Sequence, residues 1–142
     1  MPLIILLWTL LSSIVFADDS ILGKWKTIDD ETGKAKSIVE IYQTGEIFKG
    51  KVLEILIPED AKRVCSSCTG EKFNKPILGL EIINGIKEIT KNKVWGDGEV
   101  LDPKNGKIYK CRLKLIDAKT LEIRGYIGIS LFGRSQTWYR LE

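Results

Sequence analysis

The feature that most constrains this chain is a period-two alternation repeated in two successive segments. Tyr109, Cys111, Leu113 and Leu115 alternate with Lys110, Arg112 and Lys114, and Leu121, Ile123, Gly125 and Ile127 alternate with Glu122, Arg124 and Tyr126. Successive side chains of an extended chain point to opposite faces, so each segment has one dry face and one wet one. Joined across Asp117-Ala118-Lys119-Thr120, the two predict an antiparallel hairpin. Turn signals recur elsewhere at Asp29-Asp30-Glu31-Thr32-Gly33, Thr44-Gly45, Asn84-Gly85, Lys91-Asn92 and Asp102-Pro103-Lys104-Asn105-Gly106. Between them lie further expected strands at Ile21 to Ile28, Ser37 to Gln43, Glu46 to Leu56, Ile77 to Ile83, Ile86 to Thr90, Lys93 to Leu101 and Ser135 to Leu141. Within Glu46 to Leu56 the phase slips, because Phe48, Gly50 and Val52 share a face while Leu53 and Ile55 fall on the other; a bulge or a strand buried on both sides accounts for it. The helical candidate is Pro58 to Val64, with Pro near a first turn.

About nine strands with no long helix to cover them must close on themselves or pack as a sandwich. Consecutive hairpins need no crossover and favour closure: an all-β, antiparallel barrel of about 8–10 strands with little helix. A transmembrane barrel is the competing reading, because Lys107 to Ile116 is long enough to span. Most of the other expected strands, nearer seven residues, fall short of the roughly 9–11 that spanning requires.

Composition removes whole classes of chemistry. The sequence contains no His, so the commonest general base, the commonest zinc ligand and any Ser-His-Asp or Cys-His mechanism are absent. Twenty-two basic and nineteen acidic side chains leave a net +3 dispersed along the chain, with no basic face for nucleic acid. The sequence therefore predicts neither enzyme nor nucleic-acid binder. Leu3 to Phe16 form an apolar run broken only by Thr9, Ser12 and Ser13, and Val15 and Ala17 put small residues where a signal peptidase cuts. Residues 1–17 are expected to be a signal peptide, with 18–142 a single exported domain, periplasmic or secreted. No Lys or Arg precedes Leu3, which departs from the usual leader.

Gly23-Lys24-Trp25 has the form G-x-W and resembles the first signature of lipocalins, a fold in which that Trp closes the barrel floor beneath an Arg from the end of the chain. Arg140, in Trp138-Tyr139-Arg140, is the matching residue, so Gly23, Trp25 and Arg140 are expected to be structural. Further motifs follow in order: Cys65 and Cys68, Gly79-Leu80-Glu81-Ile82, Trp95-Gly96-Asp97-Gly98, Asp102-Pro103, Asn105-Gly106-Lys107-Ile108-Tyr109, Leu121 to Gly128, and Gly133-Arg134-Ser135-Gln136-Thr137-Trp138. Together they resemble the bacterial family called domain of unknown function 2147, over nearly all of the chain after the leader. The resemblance implies small exported proteins with a lipocalin-like barrel, discussed as binders of apolar small molecules, and it carries over no catalytic residue.

Cys65-Ser66-Ser67-Cys68 in an exported chain points to a structural disulfide between Cys65 and Cys68. Chain entropy alone favours a longer bridge to Cys111, about 4 against about 2 kcal/mol. Cys111, however, lies on the dry face between Tyr109 and Leu113, where a free thiol packs well. Thioredoxin-like redox chemistry needs a helix after the first Cys, which Thr69-Gly70-Glu71-Lys72 does not supply. No metal site or cofactor is expected. Asp29-Asp30-Glu31 reads as a solvated turn, and Asp97 with Asp102 as turn residues rather than an acid–base pair.

The apolar, Gly-punctuated stretch Gly125 to Arg134 asks for a partner: the barrel interior, a ligand at the barrel mouth, or a membrane surface. Tyr109, Tyr126, Phe132, Arg134 and Trp138 are the expected ligand-binding residues. An apolar or fatty-acid-like molecule would bury its chain among Ile, Leu and Val while a basic group met its head, and alternation, which turns Arg124 outward, leaves Arg134 for that role. The alternative is an envelope interaction or stress module with no ligand, its barrel plugged by Trp25, Tyr42, Phe48, Tyr109 and Trp138.

Overall fold

The computed structural model describes residues 20–91, 93–129 and 133–141; the expected leader, 1–17, and Phe132 lie outside them. Eight antiparallel strands close into a barrel in sequential order: β1 (Gly23–Ile28), β2 (Ala35–Thr44), β3 (Ile47–Ile55), β4 (Glu81–Thr90), β5 (Val94–Asp102), β6 (Lys107–Asp117), β7 (Thr120–Tyr126) and β8 (Gly133–Arg140). Helix among the described residues is limited to two single 3-10 turns, Pro58–Asp60 and Gly70–Lys72. The alternation of β6 and β7 is realised: Cys111, Leu113, Leu115, Leu121 and Ile123 are buried, while Lys110, Arg112 and Lys114 are exposed. Charges on the outer wall make it a water-facing surface, opposite to what a lipid-facing barrel needs.

Three expectations require correction. The segments Ile77 to Ile83 and Ile86 to Thr90 are not separate strands, because Asn84-Gly85 lies inside β4. The β3 partners step from Gly50↔Ile83 to Phe48↔Ile86, so the dipeptide is absorbed as a bulge instead of a hairpin turn. Gly85 takes a left-handed φ of +71°, and its neighbour across the sheet is Gly98, where an added Cβ would strike the Asn84 carbonyl and come within 2.6 Å of Ile86. The two glycines thus let β4 and β5 run on where Asn-Gly would ordinarily turn. Strands β2 to β6 have 9–11 residues rather than about seven, so length does not argue against spanning; the charged wall does. Third, β7 ends at Tyr126, and Ile127 is 67% exposed rather than part of the dry face.

The phase slip in β3 is a bulge: Ile38 pairs with Glu54 and Val39 with Val52, leaving Leu53 unpaired and exposed, and Ile55 returns to the interior. A further bulge at Gly96-Asp97 lets Trp95 face Leu113 while Gly98 faces Cys111.

Alternating connections sort to the two ends of the barrel. The chain start, the turns β2–β3, β4–β5 and β6–β7 and the end of β8 form one end, which is solid. There Trp25, Phe48, Trp95, Leu113, Leu115 and Leu121 form part of one buried cluster, with Phe48 edge-on to Trp95 at 6.4 Å. Trp25 donates its indole N–H to the Ile21 carbonyl at 2.9 Å. The Arg140 guanidinium lies 4.3 Å from the Trp25 ring centre and donates to the carbonyls of Ala118 (2.7 Å), Leu22 (2.7 Å) and Ser20 (2.5 Å). One side chain thus ties together the segment before β1, the β6–β7 turn and β8. The Cys111 thiol in the same cluster is unbonded, and burial pushes it up to about 12.

Candidate functional site

The opposite end is hollow. A cavity of about 850 Å³ lies between the aromatic plug and a rim formed by the loops β1–β2, β3–β4, β5–β6 and β7–β8. Its wall is built from the inward positions of the strands' rim-side halves: Val39 of β2, Val52 and Ile55 of β3, Ile82 of β4, Val100 of β5 and Ile123 of β7. Gly125 widens it, since a Cβ there would sit at ordinary contact distance, 3.5 Å from Val100 and 3.6 Å from Tyr109. This volume falls within the range of small-molecule pockets, and its lining follows their usual rule of apolar walls with a few polar groups.

Those polar groups are neutral within the barrel and charged at its rim. Thr27 Oγ1 and Ser37 Oγ share a 2.7 Å hydrogen bond across β1 and β2, with Thr27 buried. Trp138 Nε1 donates to Gln136 Oε1 at 3.3 Å, and Gln136 Nε2 donates to Asp30 Oδ2 at 2.8 Å. Tyr109 OH accepts from Asn105 Nδ2 at 3.1 Å. At the rim, Lys104 Nζ meets Glu31 Oε1 at 3.0 Å, Arg134 Nε meets Asp30 Oδ2 at 3.6 Å, and Arg63 Nη1 meets Asp60 Oδ1 at 3.2 Å. The β1–β2 loop and the β5–β6 turn lie four strands apart in a barrel of eight, so the Glu31–Lys104 bridge crosses the mouth. Asp29 is held below the usual carboxylate range by the backbone N–H groups of Glu31 and Thr32, while the hydrogen bond to Glu31 raises Lys104.

The long β3–β4 connection forms one wall of the mouth. It folds back on itself, with Cys65 N–H donating to the Lys75 carbonyl, Asn74 N–H to the Cys65 carbonyl, and Val64 bridging Pro76. A Cys65–Cys68 disulfide closes its tip, and both sulfurs are buried with Leu80 and Leu101. The tip presses on the β5–β6 turn so closely that any Cβ at Gly106 would collide with the Ser67 carbonyl. The loop is thereby packed to the rim.

Of the residues expected to bind a ligand, Tyr109, Tyr126, Arg134 and Trp138 line the cavity; Phe132 is outside the described residues. Arg124 lies on the outer wall, hydrogen-bonded to Ser135 Oγ at 3.0 Å. Of the expected aromatic plug, Trp25, Phe48 and Trp138 belong to the core cluster, Tyr109 lines the cavity, and Tyr42 faces outward beneath the Lys51 ammonium, 5.3 Å from its ring centre. The barrel is therefore half plugged and half hollow. Sequence reasoning missed Thr27, Ser37, Asp30, Glu31, Lys104 and Gln136. Asp30 and Glu31 lie in a segment read as a solvated turn, yet both hold cations at the mouth. Asp102 does keep its turn role, accepting from Lys104 N at 2.9 Å.

Two comparisons place this geometry among known proteins, and none of the curated proteins matches the chain. The structure of protein HP1028 from the human pathogen Helicobacter pylori, described as belonging to the lipocalin family, superposes with a TM-score of 0.76. It is 18% identical, with 87% of this chain and 84% of that one covered, so the likeness is one of fold. A family model described as an uncharacterized protein conserved in bacteria matches residues 23–140, the whole barrel from the G-x-W glycine to the Arg over the Trp. By that match the chain belongs to the bacterial domain of unknown function 2147 family.

Proposed function

We propose that the protein is an exported binder of a small molecule with an apolar body, held in the hollow half of the barrel. The observation that carries this reading is the cavity itself: about 850 Å³, walled by Val, Ile and Tyr and floored by a solid aromatic plug. Burial of each methylene is worth about 0.8 kcal/mol, so a ten-carbon chain gains roughly 8 kcal/mol before an association cost of at least about 4 kcal/mol. Chain burial alone yields weak binding, and the polar groups at the mouth supply the rest. The plugged-barrel alternative loses its footing because the plug occupies only one end. The sequence has no His for a triad, and among the described residues no three Cys, Asp or Glu converge as metal ligands. Export accords with the Cys65–Cys68 bond, which persists in oxidising compartments, and with the apolar run of residues 3–16. Native mass spectrometry of gently purified protein tests the reading. A discrete added mass that denaturation releases is expected, whereas bare protein that also takes up no neutral fluorophore after delipidation would refute it.

A further inference from the structure

We propose that the cavity selects an uncharged amphiphile, one with a hydroxyl, carbonyl or amide head, over the fatty acid of equal chain length. The inference rests on the binding reading above and concerns the head group alone. A carboxylate head needs a cation with charge to spare. At this mouth Lys104 already holds Glu31, Arg134 holds Asp30 and Arg63 holds Asp60. Lys36, the other basic residue lining the cavity among those described, stands in the field of Asp29. Asp102 adds a fifth carboxylate against these four cations. A carboxylate arriving here meets a net negative rim and must displace a resident acid, which exchanges one pair for another with little gain.

Inside the barrel the available partners are uncharged. The Thr27 and Ser37 hydroxyls use one proton between them in their mutual bond, which leaves the other proton and several lone pairs for a guest. Tyr109 of β6, whose hydroxyl accepts from Asn105 toward the rim, and Tyr126 of β7 also line the cavity and bring no charge. A hydroxyl or carbonyl can pair with such groups without bringing a charge out of water, whereas a buried carboxylate with no cation would pay its full desolvation penalty. Arg134, the residue that alternation singled out for a carboxylate, is thus neutralised by Asp30, which also holds the Gln136 amide that accepts from Trp138.

The test compares dodecan-1-ol with dodecanoate as displacers of N-phenyl-1-naphthylamine, a neutral fluorophore, from delipidated protein at pH 8 and low salt. The alcohol is expected to displace at a concentration at least tenfold lower than the acid. Asp30→Asn, which releases Arg134, and Glu31→Gln, which releases Lys104, should each narrow that ratio by threefold or more; both positions are on a rim loop. Equal or better displacement by dodecanoate, or a ratio that neither substitution moves, overturns the inference while leaving the cavity as a binding site. If the fluorophore and both amphiphiles fail to bind, the binding reading falls and this one with it.

Discussion

The two ends of this barrel are made from the same eight strands and have opposite contents. At the closed end large side chains meet: Trp25, Phe48, Trp95 and Leu121 fill the interior, and Arg140 seals it from beneath. At the open end many inward positions carry small side chains, Val39, Val52, Val100, Thr27, Ser37 and Gly125 among them, and beside Ile55, Ile82 and Ile123 these leave the middle of the barrel unfilled. Residue size along each strand, rather than any change in topology, sets where packing stops and a chamber begins. The ends differ in electrostatics as well. Arg140 is spent on backbone carbonyls and a ring face, a fixed structural use, whereas the mouth cations are spent on exposed carboxylates that solvent screens.

If stability is concentrated at the closed end, Arg140→Ala should show it most strongly. It removes a cation–π contact and three charge-assisted hydrogen bonds, and about 3 kcal/mol of unfolding free energy should disappear in a urea titration. Arg140→Lys should recover only part of this, since an ammonium lacks the planar fork. At the open end, replacing Cys65 and Cys68 together by Ser should cost about 2 kcal/mol, the chain-entropy value for a four-residue loop, and should loosen the mouth before the barrel. Limited proteolysis should then cut within 56–80 while the strands stay protected.

A pH experiment probes the core cluster from within. The folded state holds the Cys111 thiol up to about 12, above its ordinary 9, so the unfolded chain ionises first. Stability from this group is full below about pH 9 and declines as pH rises toward 12, by about 1.4 kcal/mol per unit. Cys111→Ala should flatten that part of the curve relative to the parent. The smallest effect belongs to the mouth: Glu31→Gln should leave thermal stability nearly unchanged, because both members of the bridge are more than half exposed. A large loss of melting temperature there would erase the contrast between the two ends.

Much of the fold was legible in the residues. The alternation in β6 and β7 names the dry face by itself, and the phase slip at Leu53 reads as a bulge or a strand buried on both sides, of which the bulge is found. Asn84-Gly85 misled because the same dipeptide serves a tight turn and a left-handed bulge, and only its neighbour across the sheet, Gly98, decides between them. The hollow was not legible for a related reason: alternation says which side chains point inward but not whether those of opposite strands meet. The rim pairs were hidden by distance along the chain, Glu31 lying 73 residues from Lys104 and Asp30 lying 106 from Gln136. Arg134 was recognised as a rim residue, while the acid that neutralises it was read as loop.

The claim that the open end is a chamber for a guest is tested most directly by filling it. Gly125→Leu places a side chain against Val100 and Tyr109, where an added Cβ already stands at ordinary contact distance. Titration of N-phenyl-1-naphthylamine into the parent protein should saturate at one site. The Gly125→Leu variant, folded by circular dichroism, should lose that binding at least tenfold with no loss of stability. Saturable binding of equal strength in both proteins would contradict the account.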